Sequence, residues 1–178
     1  FVTVEGEKIE LAESSVIGGT GKQGGGNILV GGDWQGGANE ELRVFDDPNA
    51  MLQASEVVMK ENALIDASAS EEGDGGTVVL WADIFDLKSK TSVEGTIYSK
   101  GGLNNGDGGK VETSGHFLDI NHAKVSTISS WGKTGDWLLD PGHIVITTTG
   151  ADGDDGKPGS ISGTTNIDPT TFSTALVS

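Results

Sequence analysis

Gly73-Asp74-Gly75-Gly76-Thr77-Val78-Val79-Leu80-Trp81 sets a cluster of glycines directly before an apolar run. The same unit stands upstream as Gly24-Gly25-Gly26-Asn27-Ile28-Leu29-Val30 and downstream as Gly106-Asp107-Gly108-Gly109-Lys110-Val111-Glu112-Thr113. A degraded copy comes later, at Gly132-Lys133-Thr134-Gly135-Asp136-Trp137-Leu138-Leu139. The last glycines of the four clusters, Gly26, Gly76, Gly109 and Gly135, lie 50, 33 and 26 residues apart, a loose period. Sequence-similar units point to a repeat architecture, because each coil of a solenoid must present the same strand and corner to its neighbours.

A second unit sits between the first. Ala63-Leu64-Ile65-Asp66-Ala67-Ser68-Ala69 matches Val93-Glu94-Gly95-Thr96-Ile97-Tyr98-Ser99 and, more weakly, Ala123-Lys124-Val125-Ser126-Thr127-Ile128-Ser129. These runs alternate, with Ala63, Ile65 and Ala67 on one side and Leu64, Asp66 and Ser68 on the other. Period two with small residues inward is the pattern of a half-buried strand. A β-sandwich and a parallel β-helix both fit short strands punctuated by Gly, Asn, Asp and Ser, but only the second requires similar units. Pattern and family resemblance together predict an all-β chain, a right-handed parallel β-helix (β-solenoid), cut from a longer rod. At about 20 residues and ~4.8 Å per coil, the chain would make roughly eight or nine coils spanning on the order of 40 Å.

The repeats occupy residues 1–149, and 150–178 read as an acidic Gly-rich loop and junction to a further element. Within the first part, Gly31 to Glu41 reads as a loop leading into Leu42-Arg43-Val44-Phe45. Within the second, Asp168-Pro169 has the form of a helix start, with a capping residue before a proline. The chain opens on Phe1 rather than Met, with no export signal of its own, and reads as a piece of something longer.

Lys and Arg number 11 against 27 Asp and Glu, a formal net charge of −16. That balance excludes a nucleic-acid partner, whose phosphates need a basic face, and equally an anionic membrane surface. No run approaches 18 apolar residues, so no membrane insertion is expected. Cysteine is absent, which removes disulfides and Cys-based metal sites. Glycine reaches 29 of 178 residues, roughly twice the ordinary share, and its concentration in clusters leaves enough apolar sequence for a core.

Several segments together resemble the large secreted exoproteins of the filamentous-haemagglutinin family. They are Gly31-Gly32-Asp33-Trp34-Gln35-Gly36, then Ile65-Asp66-Ala67-Ser68 running into Gly73 to Asp83, then Gly95 to Gly102, Gly106 to Gly115, and Gly132 to Pro141 with its Leu-Leu-Asp-Pro ending. Five blocks in order over roughly residues 17–146 make the resemblance specific. It implies two-partner secretion (type V), in which a passenger crosses the outer membrane through its own transporter and folds outside as a β-helix. Such passengers serve adhesion, biofilm formation, toxin delivery or haem acquisition. The family's secretion domain, with its Asn-Pro-Asn-type motifs, is not seen, and the chain looks like the stretch downstream of that domain. The resemblance implies a secreted or cell-surface adhesin segment, with a host-cell, matrix or glycan receptor as partner. The stalk of a contact-dependent toxin-delivery exoprotein is the alternative.

Sharper chemistry is weakly supported. The glycine clusters precede strands, not the helix that a phosphate loop needs, so no nucleotide cofactor is expected. Asp152, Asp154 and Asp155 resemble the start of a calcium loop, but the position of the closing acid is Gly163. His116 and His122, if on one strand, would stand ~20 Å apart, too far to share a metal. A β-helical polysaccharide-active enzyme would need paired acids, or a base with arginine; the single arginine is Arg43, so the chain is read as no enzyme. Trp34, Trp81, Trp131 and Trp137 read as corner or core packing, with sugar stacking as the alternative. Asp33, Trp34, Gln35 and Asn39 are the candidate adhesive loop residues, on the expectation that Gly31 to Glu41 is exposed.

Overall fold

A computed structural model describes residues 1–142. The Ca²⁺ candidates Asp152, Asp154 and Asp155 and the expected helix at Asp168 lie outside the described residues. Three strands recur in each coil. The first coil runs through β1 (Val2–Val4), β2 (Lys8–Leu11) and β3 (Val16–Gly18), and the second through β4 (Asn27–Val30), β5 (Glu56–Met59) and β6 (Leu64–Asp66). The third contains β7 (Thr77–Trp81), β8 (Lys90–Val93) and β9 (Thr96–Tyr98), and the fourth β10 (Lys110–Gly115), β11 (Phe117–Asp119) and β12 (Lys124–Ser126). A further strand, β13 (Asp136–Pro141), opens a fifth coil.

Equivalent strands of successive coils pair in parallel, giving sheets ordered β1-β4-β7-β10-β13, β2-β5-β8-β11 and β3-β6-β9-β12. This is a parallel β-helix, as the repeats predict. Its coils are longer and fewer than predicted, however. Ile28 pairs with Val78, Val78 with Val111 and Val111 with Trp137, so successive coils advance by 50, 33 and 26 residues. The glycine-cluster spacing is therefore the coil length itself. Four complete coils lie in the described residues, and the five strands of the first sheet stack over ~19 Å. The longest coil carries an excursion between β4 and β5, and Leu42 to Phe45, into which the loop leads, form no strand within it.

The interior is built as ladders. Ile17, Ile65, Ile97 and Val125 stack in one sheet, and Val2, Ile28, Val78, Val111 and Trp137 in another. Leu11, Met59 and Val93 line the third. Ala63, Ile65 and Ala67 are buried, whereas Leu64, Asp66 and Ser68 are half-buried, the alternation read from the sequence. Each fully buried aliphatic side chain contributes about 1.5–3 kcal/mol, so these columns supply most of the driving force for stacking.

The glycine clusters form one corner of every coil. Gly25, Gly75 and Gly108 donate along the axis to the carbonyls of Asp74, Asp107 and Lys133 in the next coil, at 2.8, 2.9 and 2.8 Å. Gly26, Gly76, Gly109 and Gly135 donate across their own coil to Gly19, Ala67, Ser99 and Thr127, at 2.8, 2.8, 2.8 and 2.9 Å. Backbone thus meets backbone in two directions, and a Cβ on Gly76, Gly109 or Gly135 would overlap the carbonyl oxygen of the glycine stacked before it. The aspartates of the clusters complete the corner: Asp74 Oδ1 accepts from the Asp107 N–H at 2.7 Å, and Asp107 Oδ1 from the Lys133 N–H at 2.8 Å. Asp74→Ala should lower unfolding stability by about 1 kcal/mol, the value of one such bond, measurable by urea denaturation.

Candidate functional site

The outer face of the β1-β4-β7-β10-β13 sheet is covered over its middle strands, β4, β7 and β10. Leu29 pairs with Val79, Val79 with Glu112 and Glu112 with Leu138, and this column faces away from the coil interior. The excursion after β4 folds back over it. Leu29, Val79 and Trp81 pack with Trp34 and Met51 of the excursion, flanked by Leu42, Val44 and Phe45. Both faces of β4 and β7 are therefore covered, which accounts for their unbroken apolar runs.

Asp33 anchors this cap. Its carboxylate is buried and accepts from the backbone N–H groups of Trp34 (2.7 Å), Val44 (2.8 and 2.9 Å) and Phe45 (2.9 Å). A short 3-10 turn, Trp34–Gly37, comes next, with Gln35 in the left-handed region at φ 49°. That conformation disfavours a residue with a Cβ, and two hydrogen bonds hold it. The Gln35 N–H donates to Glu112 Oε2 at 2.8 Å, and its side-chain oxygen accepts from Asn39 Nδ2 at 2.8 Å.

Asp33 and Trp34 are thus interior, and Gln35 and Asn39 are half-buried and bonded to each other. The expectation that these four residues form an exposed contact loop is corrected for Asp33 and Trp34. The apolar outer face of the sheet draws the indole inward, and the amides of the returning chain need the carboxylate. The solvent-facing part of the excursion is Asp46 to Ala50, together with Ala38, Glu40, Glu41 and Leu52. Asp33→Ala, which strips three amides of a buried acceptor, should cost about 3 kcal/mol and lower the denaturation midpoint, with intrinsic tryptophan fluorescence reporting the loosened cap.

Glu112 is the residue that composition and motif reading miss. It is fully buried, and Oε1 accepts from Ser114 Oγ at 2.7 Å. Burial pushes its pKa up to about 7; the hydrogen bonds from Ser114 and Gln35 oppose the rise, and the charges of Asp140 and Asp33 add to it. Asp140 is itself raised by burial. A signal for Glu112 exists in the repeats. In the four clusters the third residue after the last glycine is Leu29, Val79, Glu112 and Leu138, so the glutamate stands in an apolar column.

The tryptophans divide. Trp34 and Trp81 pack in one cluster under the cap, and Trp137 joins the coil interior with its Nε1–H donating to Thr113 Oγ1 at 3.1 Å. Trp131 is exposed on a corner. His116 and His122 do not share a strand: His116 lies before β11 against the Ile84 carbonyl, and His122 is in the turn after it. Among the described residues, no group of three or more His, Cys, Asp or Glu is placed to hold a metal ion. No helix among them is long and apolar enough to cross a membrane.

The described chain is a parallel β-helix with one capped face. No family model matches it, and no curated protein sequence does. Among solved structures it is similar to the crystal structure of the HMW1 secretion domain from Haemophilus influenzae, with 30% sequence identity and a TM-score of 0.55. The match covers 78% of this chain and 31% of that chain, so the chain spans about a third of the length of the structure it matches. The similarity reaches a secretion domain, the element that the sequence set upstream of this chain.

Proposed function

We propose that this chain is a rigid, non-catalytic segment of a secreted bacterial surface adhesin of the filamentous-haemagglutinin type, and that it takes part directly in adhesion. The observation that carries this is the in-register parallel stacking of every coil, together with the likeness to an HMW1 secretion domain. Axial hydrogen bonds in three sheets make the segment stiff, while side loops and corners can vary without disturbing the coils. The two most buried carboxylates serve the cap: Asp33 binds backbone amides and Glu112 lies beneath the 3-10 turn, so neither faces a substrate cleft. Export would run through the outer-membrane transporter of the parent protein, with folding coil on coil outside. The partner at the distal side is a host-cell, matrix or glycan receptor.

Beads coated with purified residues 1–178 test this on epithelial cells and extracellular-matrix proteins, against beads carrying an unrelated acidic β-helix. Retention above that control is the expected result. Retention equal to the control would overturn a direct adhesive role and leave the segment as a spacer.

A further inference from the structure

We propose that Trp131, with Leu103 and the two asparagines beside it, forms a docking site for an uncharged sugar; this rests on the adhesive reading above and names its ligand class. Trp131 is 74% exposed and Leu103 is 68% exposed, on the corners of adjacent coils. The exposure does not come from a loose side chain. The indole Nε1–H donates to the Leu103 carbonyl at 2.6 Å, so the ring leans back onto the preceding coil. The backbone beneath it is fixed as well. The N–H groups of Trp131 and Gly132 donate to Ser129 Oγ at 3.2 and 2.8 Å, and that hydroxyl donates to the Gly106 carbonyl at 2.5 Å.

An indole whose only polar edge is already bonded offers a ligand its apolar faces alone. Asn104 and Asn105 follow Leu103, whose carbonyl holds the indole; both are exposed, and neither side chain has a hydrogen-bond partner among the described residues. A held aromatic face bordered by free amides matches a pyranose, which presents C–H bonds on one face and hydroxyls at its rim. Trp131 and Leu103 make too small an apolar patch for a stable protein interface, which needs about 800 Å² per partner. Charge selects among sugars. Glu72 and Asp107 lie on the corners around Asn104, whose N–H donates to the carbonyl of Glu71; the Glu71 carboxylate is paired with Lys22 at 2.8 Å, and Lys133 stands two residues from Trp131. With a net charge of −16 over the chain, sialylated or sulfated glycans are repelled and neutral ones are not.

The test uses residues 1–178 and acrylamide quenching of tryptophan fluorescence. The probes are neutral oligosaccharides ending in galactose, N-acetylglucosamine or fucose, alongside sialylated and sulfated counterparts. A neutral sugar should shield the exposed tryptophan from acrylamide, and Trp131→Ala should weaken that sugar's binding by about tenfold with unchanged circular dichroism and Tm. Trp131→Phe, which keeps an aromatic face, should lose less. Absence of shielding by every neutral sugar, binding of anionic glycans alone, or undiminished binding by Trp131→Ala would overturn the proposal. Shielding that grows with protein concentration in the absence of sugar would overturn it too, assigning the face to a second copy of the chain. Beads carrying Trp131→Ala that adhere as well as wild type would sink the sugar site and leave the adhesive reading standing. Sugar binding by wild type without bead retention would do the reverse.

Discussion

Gly109→Val is expected to abolish the native fold, with loss of the β-sheet circular dichroism signal and of cooperative thermal unfolding. The Cβ alone would overlap the carbonyl oxygen of Gly76 and the hydroxyl of Ser99, and the first of these is backbone in a neighbouring coil. Neither can retreat without breaking the bond from the Gly109 N–H to the Ser99 carbonyl and the parallel register of β7 and β10. The cost should exceed about 5 kcal/mol, comparable with the whole stability of an ordinary domain. Gly18→Ala is the matched control. A Cβ there meets nothing within 4 Å, so the variant should unfold like wild type within about 0.5 kcal/mol. The pair separates glycine needed for inter-coil contact from glycine that merely occupies a strand end.

Glu112→Gln should remove most of the pH dependence of stability between pH 5 and pH 8. The folded-state pKa of Glu112 is pushed up to about 7 from an ordinary value of 4.5. A carboxyl raised in the folded state binds its proton more tightly there than in the unfolded chain. Folding is therefore favoured while Glu112 is protonated and weakens as pH rises from about 4.5 through 7. The loss over that window is on the order of 3 kcal/mol, since one pKa unit is 1.36 kcal/mol. Asp140, raised by burial as well, acts in the same direction. Glutamine keeps an oxygen for the Gln35 N–H and an amide for Ser114 but carries no charge to desolvate. Urea denaturation at pH 5, 6.5 and 8 reads the effect: wild type should lose stability across the series, and Glu112→Gln should be nearly flat and the more stable protein at pH 8. Parallel slopes would show that Glu112 is solvated or that its charge is compensated.

How much of this is legible without coordinates differs from element to element. The β-helix is legible because a coil repeats its chemistry: Gly76-Thr77-Val78 and Gly109-Lys110-Val111 announce the same corner and strand. The coil length is present in the same glycines, but 50, 33 and 26 look like a loose period until it is seen that loops of different size can hang from identical corners. An assumed coil of about 20 residues therefore puts about seven coils into the described residues, where four and the start of a fifth are found. The cap is the least legible element. Asp33 and Trp34 sit in a glycine-rich, irregular stretch, and local composition there signals an exposed loop. Only the unbroken apolar runs Ile28-Leu29-Val30 and Val78-Val79-Leu80-Trp81, buried throughout, hint that the outer face of the sheet must be covered. Local pattern cannot say which segment covers it, because Asp33 meets Val44 and Glu112 meets Gln35 across 11 and 77 residues. Trp131 is a different case: the repeat marks Trp137 as a strand residue and Trp131 as lying before the glycine cluster, but not that its indole is held by a carbonyl 28 residues earlier.

Antibodies raised against folded residues 1–178 and applied to the producing bacteria test most directly whether this β-helix works outside the cell. The account predicts labelling of intact, unpermeabilised cells or recovery of the antigen from the medium. Labelling that appears only after the cells are permeabilised would contradict it.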